Sequence, residues 1–257
     1  MLDRVILTND DGIDAPGMAV LEEIAAQIAR EVWVVAPEHD QSGQSHAISL
    51  HHALRLSERG NRRFGVSGTP GDCAAMGIAH LMKDHPPQLM LSGVNRGVNL
   101  GIESVFSGTV GGAMTAMMLG CPAIALSQGF TDRKNVPWDT ARALGASTIL
   151  KLVEIGWSDR AVLNVNFPPI PADRVGPITL AKQGEGVIAG VHVDTRADPR
   201  GMTYHWLNFV RSDREQSPGT DYSAMRAGRI VVTPLRCDRT DEDAFEDLTK
   251  NLPRFEG

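Results

Sequence analysis

Asp10 and Asp11 stand side by side in the run Thr8-Asn9-Asp10-Asp11-Gly12. Two carboxylates held ~4 Å apart repel by about 4 kcal/mol at an effective dielectric of 20, and a divalent cation relieves that repulsion. Hard carboxylate and amide oxygens suit magnesium or manganese. A second cluster, Asp40-Gln41-Ser42-Gly43-Gln44-Ser45-His46, supplies small hydroxyls and a glycine that can approach a metal or phosphate closely. Its His46 titrates near neutral pH and could give a proton to a leaving oxygen. The third cluster, Ser92-Gly93-Val94-Asn95-Arg96-Gly97-Val98-Asn99-Leu100-Gly101, interleaves two carboxamides with glycines four residues apart. The amide oxygens can ligate a hard cation, while their NH₂ groups and the loop N–H groups suit phosphate. Arg96 adds positive charge toward an anion. The fourth, Ser107-Gly108-Thr109-Val110-Gly111-Gly112, opens a helical pattern whose first N–H groups and dipole favour an anion. Ser107 and Thr109 add hydroxyl donors there, and Ser107 is also a good helix cap. Together the clusters describe one site with an acidic, cation-holding pole and a hydroxyl-and-amide, phosphate-holding pole. That pairing suits hydrolysis of a phosphate ester.

The elements that must position these clusters can be read from apolar periodicity. Strand-length runs at residues 4–8, 31–36, 88–91, 123–127 and 161–166 alternate with helical patterns at 17–30, 72–82, 108–119 and 139–155. Residues 48–56 and 63–66 read as a hairpin. Such alternation predicts an α/β fold: a mostly parallel sheet with helices on both faces, hence three layers. Ligands of such sheets sit beyond the carboxyl ends of the strands, where the four clusters fall. After residue 170 the pattern changes to short β-like runs at 178–181, 187–193, 204–210 and 229–233, with a last helix at 242–250. The organisation expected is an α/β catalytic core over 1–170 and a β-rich extension over 171–257, serving as an oligomerisation arm that returns to the core.

Composition excludes several other classes. The 257 residues are 42% hydrophobic, enough for a large core. The formal net charge of −6 argues against nucleic acid or an anionic membrane as partner. The uncharged stretch 104–131 carries glycines and Pro122 and makes a poor spanning helix. Acid within three residues of the start leaves no secretory signal pattern, and Cys73, Cys121 and Cys237 are not at metal-ligand spacing. A cytoplasmic protein with reduced thiols is expected. No Lys follows the glycines of the fourth cluster, so it is not a P-loop. The first strand runs into acid rather than spaced glycines, so NAD or FAD is disfavoured. A non-enzymatic, receiver-like magnesium module also places two acids after its first strand. It needs a phosphoacceptor Asp after a middle strand, where this chain has Ser92-Gly93-Val94-Asn95. A haloacid-dehalogenase-type phosphatase spaces its acids Asp-x-Asp, whereas these are adjacent.

The runs TNDDGIDAPG, APEHDQSGQSH, LSGVNRGVNLG and SGTVGGAM, in that order, resemble the SurE family of survival-protein nucleotidases. Looser similarity continues through 164–168, SPGTDYSA at 217–224 and VTPL at 232–235. The resemblance implies a Rossmann-like α/β core with β extensions that build homodimers or homotetramers. It also implies removal of phosphate from nucleoside 5′-monophosphates, with 3′-monophosphates and short polyphosphate as further substrates. By the same resemblance, Asp10, Asp11, Ser42 and Asn95 would ligate one divalent cation per subunit, Mg²⁺ or Mn²⁺. Asn99 and the turn Ser107, Gly108 and Thr109 would contact phosphate. His46 stands where one version of the family's loop carries Asn, so a phosphate contact by an amide would become one by imidazole. The catalytic residues expected are therefore Asp10, His46 and Asn99. Water is favoured over Asp10 as the attacking group, because the ligand role already occupies Asp10.

Overall fold

The computed structural model describes residues 1–252. Strand β1 (Leu2–Thr8) has β2 (Ala29–Pro37) on one side and β5 (Leu89–Arg96) on the other, all parallel. The sheet continues outward from β2 through β4 (Arg63–Val66) to β3 (Leu56–Gly60), and from β5 through β6 (Ala123–Gln128) to β7 (Val162–Phe167). Every neighbouring pair from β4 to β7 is parallel. β11 (Arg229–Leu235) then adds antiparallel to β7, and β8 (Gly176–Leu180) parallel to β11, completing nine strands. Chain order reverses at β1 and β5, so a crevice opens beyond their carboxyl ends. Asp10 follows β1, and Asn95 sits at the end of β5.

Strand alternation sends side chains to two separate cores. Val5 and Leu7 point to the layer formed by α1 (Pro16–Ile28) and α4 (Trp138–Ile155), among Met18, Leu21, Ile24 and Ile149. Ile6 points to the other layer, where α2 (Pro70–Met76) packs on α3 (Gly108–Met118) around Cys73, Val110 and Ala113. Fully burying each Leu, Ile or Val contributes about 1.5–3 kcal/mol before entropy. The expected three-layer α/β fold with a mostly parallel sheet is what these residues form.

Some boundaries differ from the sequence reading. The first hairpin strand is not 48–56 but begins at Leu56; Ile48 and Leu50 lie exposed in a loop. The helix expected at 72–82 starts at Pro70 behind a Thr69 capping box and widens to a π turn over Gly77–Leu81. β5 runs on to Arg96, so Asn95 is a strand residue. A short helix, α5 (Asp221–Arg226), was not foreseen. Beyond residue 170 the chain has two parts. β8 and β11 extend the main sheet, whereas β9 (Ile188–Ala197) and β10 (Thr203–Arg211) form a separate antiparallel ribbon with mostly exposed side chains. Helix α6 (Glu242–Asn251) ends the described chain, and no helix among the described residues is long and apolar enough to cross a membrane.

Candidate active site

Asp10 is built in before anything binds. Only 4% exposed, it sits under the first turn of α3. The Thr109 N–H donates to its Oδ2 at 3.0 Å, and the Thr109 hydroxyl donates to its Oδ1 at 2.6 Å. Such proximity requires glycine at 108, because a Cβ there would lie 2.9 Å from the Asp10 Cβ and 3.0 Å from Oδ2. Burial, opposed by the Thr109 hydroxyl and reinforced by the Asp11 charge, pushes the Asp10 carboxyl up to about 6. Each carboxylate oxygen keeps a lone pair beyond its Thr109 bond.

Asp11 is fixed from β5. Its Oδ2 accepts the Arg96 backbone N–H at 3.0 Å, and the Arg96 guanidinium lies 3.9 Å from Oδ1. Burial also raises the Asp11 carboxyl, against the pull of Arg96. The Asn95 amide N–H donates to the Gly97 carbonyl at 3.0 Å, which leaves its Oδ1 free to accept or ligate. Ser42 follows Gln41, whose N–H donates to the Asp10 carbonyl at 2.7 Å. Asn99 is held by three side chains. Its N–H donates to Asn166 Oδ1 at 2.8 Å, its Nδ2 donates to the Ser127 hydroxyl at 2.9 Å, and its carbonyl accepts the Asn164 and Asn166 amides.

Asp10, Asp11, Ser42, Asn95, Asn99 and Ser107 all line one cleft of about 960 Å³ at the carboxyl ends of β1 and β5. Arg96, Arg133, Arg211 and Arg226 also line it, so an acidic protein presents a locally cationic mouth. Ser107 caps α3, its Oγ accepting the Val110 N–H at 3.1 Å, and still borders the cleft.

Three expected phosphate contacts or donors stand elsewhere. Thr109 is fully buried and spends its hydroxyl on Asp10, so it sets the carboxylate rather than facing an incoming phosphate. Gly108 acts by its missing Cβ. His46 lines a neighbouring cavity of about 300 Å³, with Gly111, Met114, Arg236 and Arg239. Its Nε2 lies 2.9 Å from Thr115 Oγ1 on α3, and partial burial, helped by the Arg239 charge, lowers its pKa. The chain bends it onto α3 because Gly111 lets the loop pass so closely that a Cβ would sit 2.2 Å from the Ser45 carbonyl.

Two supports escaped sequence reasoning. Asn164 and Asn166 are buried in β7 and hold Asn99; their signal was a pair of amides at strand period inside an otherwise apolar run. Asp221, also buried, accepts the Gly101 N–H at 2.6 Å and the Gly184 N–H at 2.9 Å, tying α5 to the loop after Asn99.

No group of three or more His, Cys, Asp and Glu side chains capable of holding a metal occurs among the described residues. The oxygen donors converging here are two carboxylates with an amide and a hydroxyl. Burial raises the Asp10 carboxyl and the Asp11 charge adds to it, and a bound cation would offset both, so the donor set fits a hard divalent ion.

Known proteins resemble this chain along nearly its whole length. The 5′-nucleotidase SurE 1 of Burkholderia lata is 56% identical over 252 residues, covering 98% of this chain and 97% of its own. The 5′-nucleotidase SurE of Methylorubrum populi is 48% identical over 254 residues, covering 98% of this chain and 99% of its own. The crystal structure of the SurE protein from Aquifex aeolicus superposes with a TM-score of 0.82 at 31% identity, over 96% of this chain and 98% of that one. A family model described as Survival protein SurE matches residues 5–189, the stretch that carries all four polar clusters and their strands. By that match and by near full-length identity to its members, the chain belongs to the SurE family.

Proposed function

We propose that this protein is a divalent-metal-dependent phosphomonoesterase that hydrolyses nucleoside 5′-monophosphates to nucleoside and phosphate. One observation carries the reading: a single cleft gathers Asp10, Asp11, Ser42, Asn95, Asn99 and Ser107 from four separate stretches of chain. The names of the Burkholderia and Methylorubrum relatives support the substrate class. Asp10, Asp11, Ser42 and Asn95 would hold one Mg²⁺ or Mn²⁺ per subunit. Bound there, the ion supplies Lewis-acid stabilisation of charge developing on phosphorus oxygens and favours deprotonation of water.

The chain's own residues do the rest. Arg96 and the rim arginines draw the dianion in. Ser107 and the Asn99 amide donate toward phosphate oxygens, and the buried amides of Asn164 and Asn166 keep Asn99 from shifting. Water adds to phosphorus, the P–O bond to the nucleoside breaks, and a proton given up by the attacking water ends on the leaving oxygen, so that one water yields nucleoside and phosphate. Asp10 stays a fixed donor rather than a nucleophile, since Thr109 holds both of its oxygens. 3′-Monophosphates and short polyphosphate are further substrates on this reading, and a homodimer or homotetramer working in the cytoplasm is its setting.

The test is phosphate release from a panel of nucleoside 5′- and 3′-monophosphates with Mg²⁺, Mn²⁺ or chelator. Chelation and Asp10→Asn should each lower kcat/KM at least a thousandfold while the circular dichroism spectrum is retained. Equal turnover in all samples would overturn the proposal.

A further inference from the structure

The cleft has a second, apolar lining that phosphate chemistry leaves unused. Phe106, Phe130, Leu207 and Phe209 form it together with the polar pole. Phe106 and Phe209 are 46% and 49% exposed, with ring centroids 5.3 Å apart and planes tilted by 38°. Aromatic pairs of this kind gain only about 0.5–1.5 kcal/mol beyond burial, which does not explain leaving two phenyl faces open at one cleft.

Both rings are fastened beside the phosphate pole by separate means. Phe106 immediately precedes Ser107, so their Cα atoms are one peptide, about 3.8 Å, apart. The loop that carries Ser42 also pins this segment: the Ser45 N–H donates to the Phe106 carbonyl at 3.2 Å, and the Ser45 hydroxyl donates to the Val105 carbonyl at 2.5 Å. Phe209 comes from β10, opposite Val191 of β9. Glu103 holds the root of that ribbon, its carboxylate accepting the Val187 and Ile188 N–H groups and, at 2.8 Å, the Tyr222 hydroxyl. Two elements about a hundred residues apart thus bring aromatic faces into the same cleft as the residues suited to phosphate.

Resting on the nucleotidase reading above, we propose that Phe106 and Phe209 form the platform on which the substrate's nucleobase stacks, and that this platform makes the enzyme prefer nucleotides to phosphomonoesters lacking a base. Stacking needs only a π face, which every base has, so such a platform accepts all four common bases and favours the larger purines. Ring stacking strengthens ground-state and transition-state binding alike, so its loss appears in KM rather than kcat.

The experiment compares kcat/KM for AMP and for ribose 5-phosphate in wild type, Phe106→Ala, Phe209→Ala and Phe209→Tyr. The expected result is a ratio of AMP over ribose 5-phosphate that falls about tenfold in each alanine variant, through KM for AMP, and is kept in Phe209→Tyr. A ratio unchanged in both alanine variants would overturn the platform while leaving the nucleotidase reading intact. Wild type that releases phosphate from neither compound would overturn that reading and the platform with it.

Discussion

At the scale of single residues, the site turns on how Thr109 and burial treat Asp10. In the metal-free protein its carboxyl is raised from 3.8 to about 6, so the folded chain holds a proton that the unfolded chain releases between those values. Stability from this group is complete below pH ~4 and is lost as pH rises through about 6, by up to roughly 3 kcal/mol. Asp10→Asn removes that dependence. Denaturant unfolding in chelator should therefore show the variant gaining on wild type from pH 4 to pH 7, with Mn²⁺ rescuing wild type alone. A stability difference independent of pH would contradict the buried, repelled carboxylate. Sequence alone picked out Asp10, Asp11, Asn95 and Asn99, because adjacent acids and glycine-spaced amides are rare at strand ends. It could not show that Thr109 faces backward onto Asp10 or that His46 turns to Thr115, since both depend on how closely α3 approaches its neighbours.

At the scale of elements, α3 is the part around which the site is assembled. Its glycines admit Asp10 on one side and the 42–46 loop on the other. Replacing Gly111 with Ala improves helix propensity by up to about 1 kcal/mol. The new Cβ would meet the Ser45 carbonyl at 2.2 Å, and that contact wins. Gly111→Ala should displace the loop bearing Ser42, lowering kcat/KM at least tenfold and the melting temperature by several degrees. A fully active, equally stable variant would show that the loop is positioned by something else. The strands and long helices were legible because β1, β2 and β6 each carry an unbroken apolar stretch, β7 is apolar apart from Asn164 and Asn166, and α1 and α4 bury one face. β5 was cut short because Gly93 and Asn95 look like loop residues, yet after an irregularity at Gly93 and Val94 the ladder with β6 resumes at Asn95 and Arg96. The apolar Ile48 and Leu50 suggested a strand, but they lie in a loop, where Leu50 stays 80% exposed and Ile48 packs only in part, at Gly71 of α2.

At the scale of the whole molecule, the β9–β10 ribbon forms a sheet of its own, with Val193 exposed by 49% and Trp206 by 60%. Exposed apolar side chains on a ribbon outside the main sheet suit a subunit interface. Changing Val193 and Trp206 to Ser should lower the mass seen by light scattering, and an unchanged mass would count against the ribbon as the contact between subunits. The nine-stranded sheet and its two helical layers frame the cleft that is proposed to present one divalent ion to a phosphate ester. Anomalous diffraction from crystals soaked in Mn²⁺ tests that most directly. A single strong peak per subunit is expected among Asp10, Asp11, Ser42 and Asn95; crystals with no peak there, or with manganese only elsewhere on the surface, would contradict the proposed metal site.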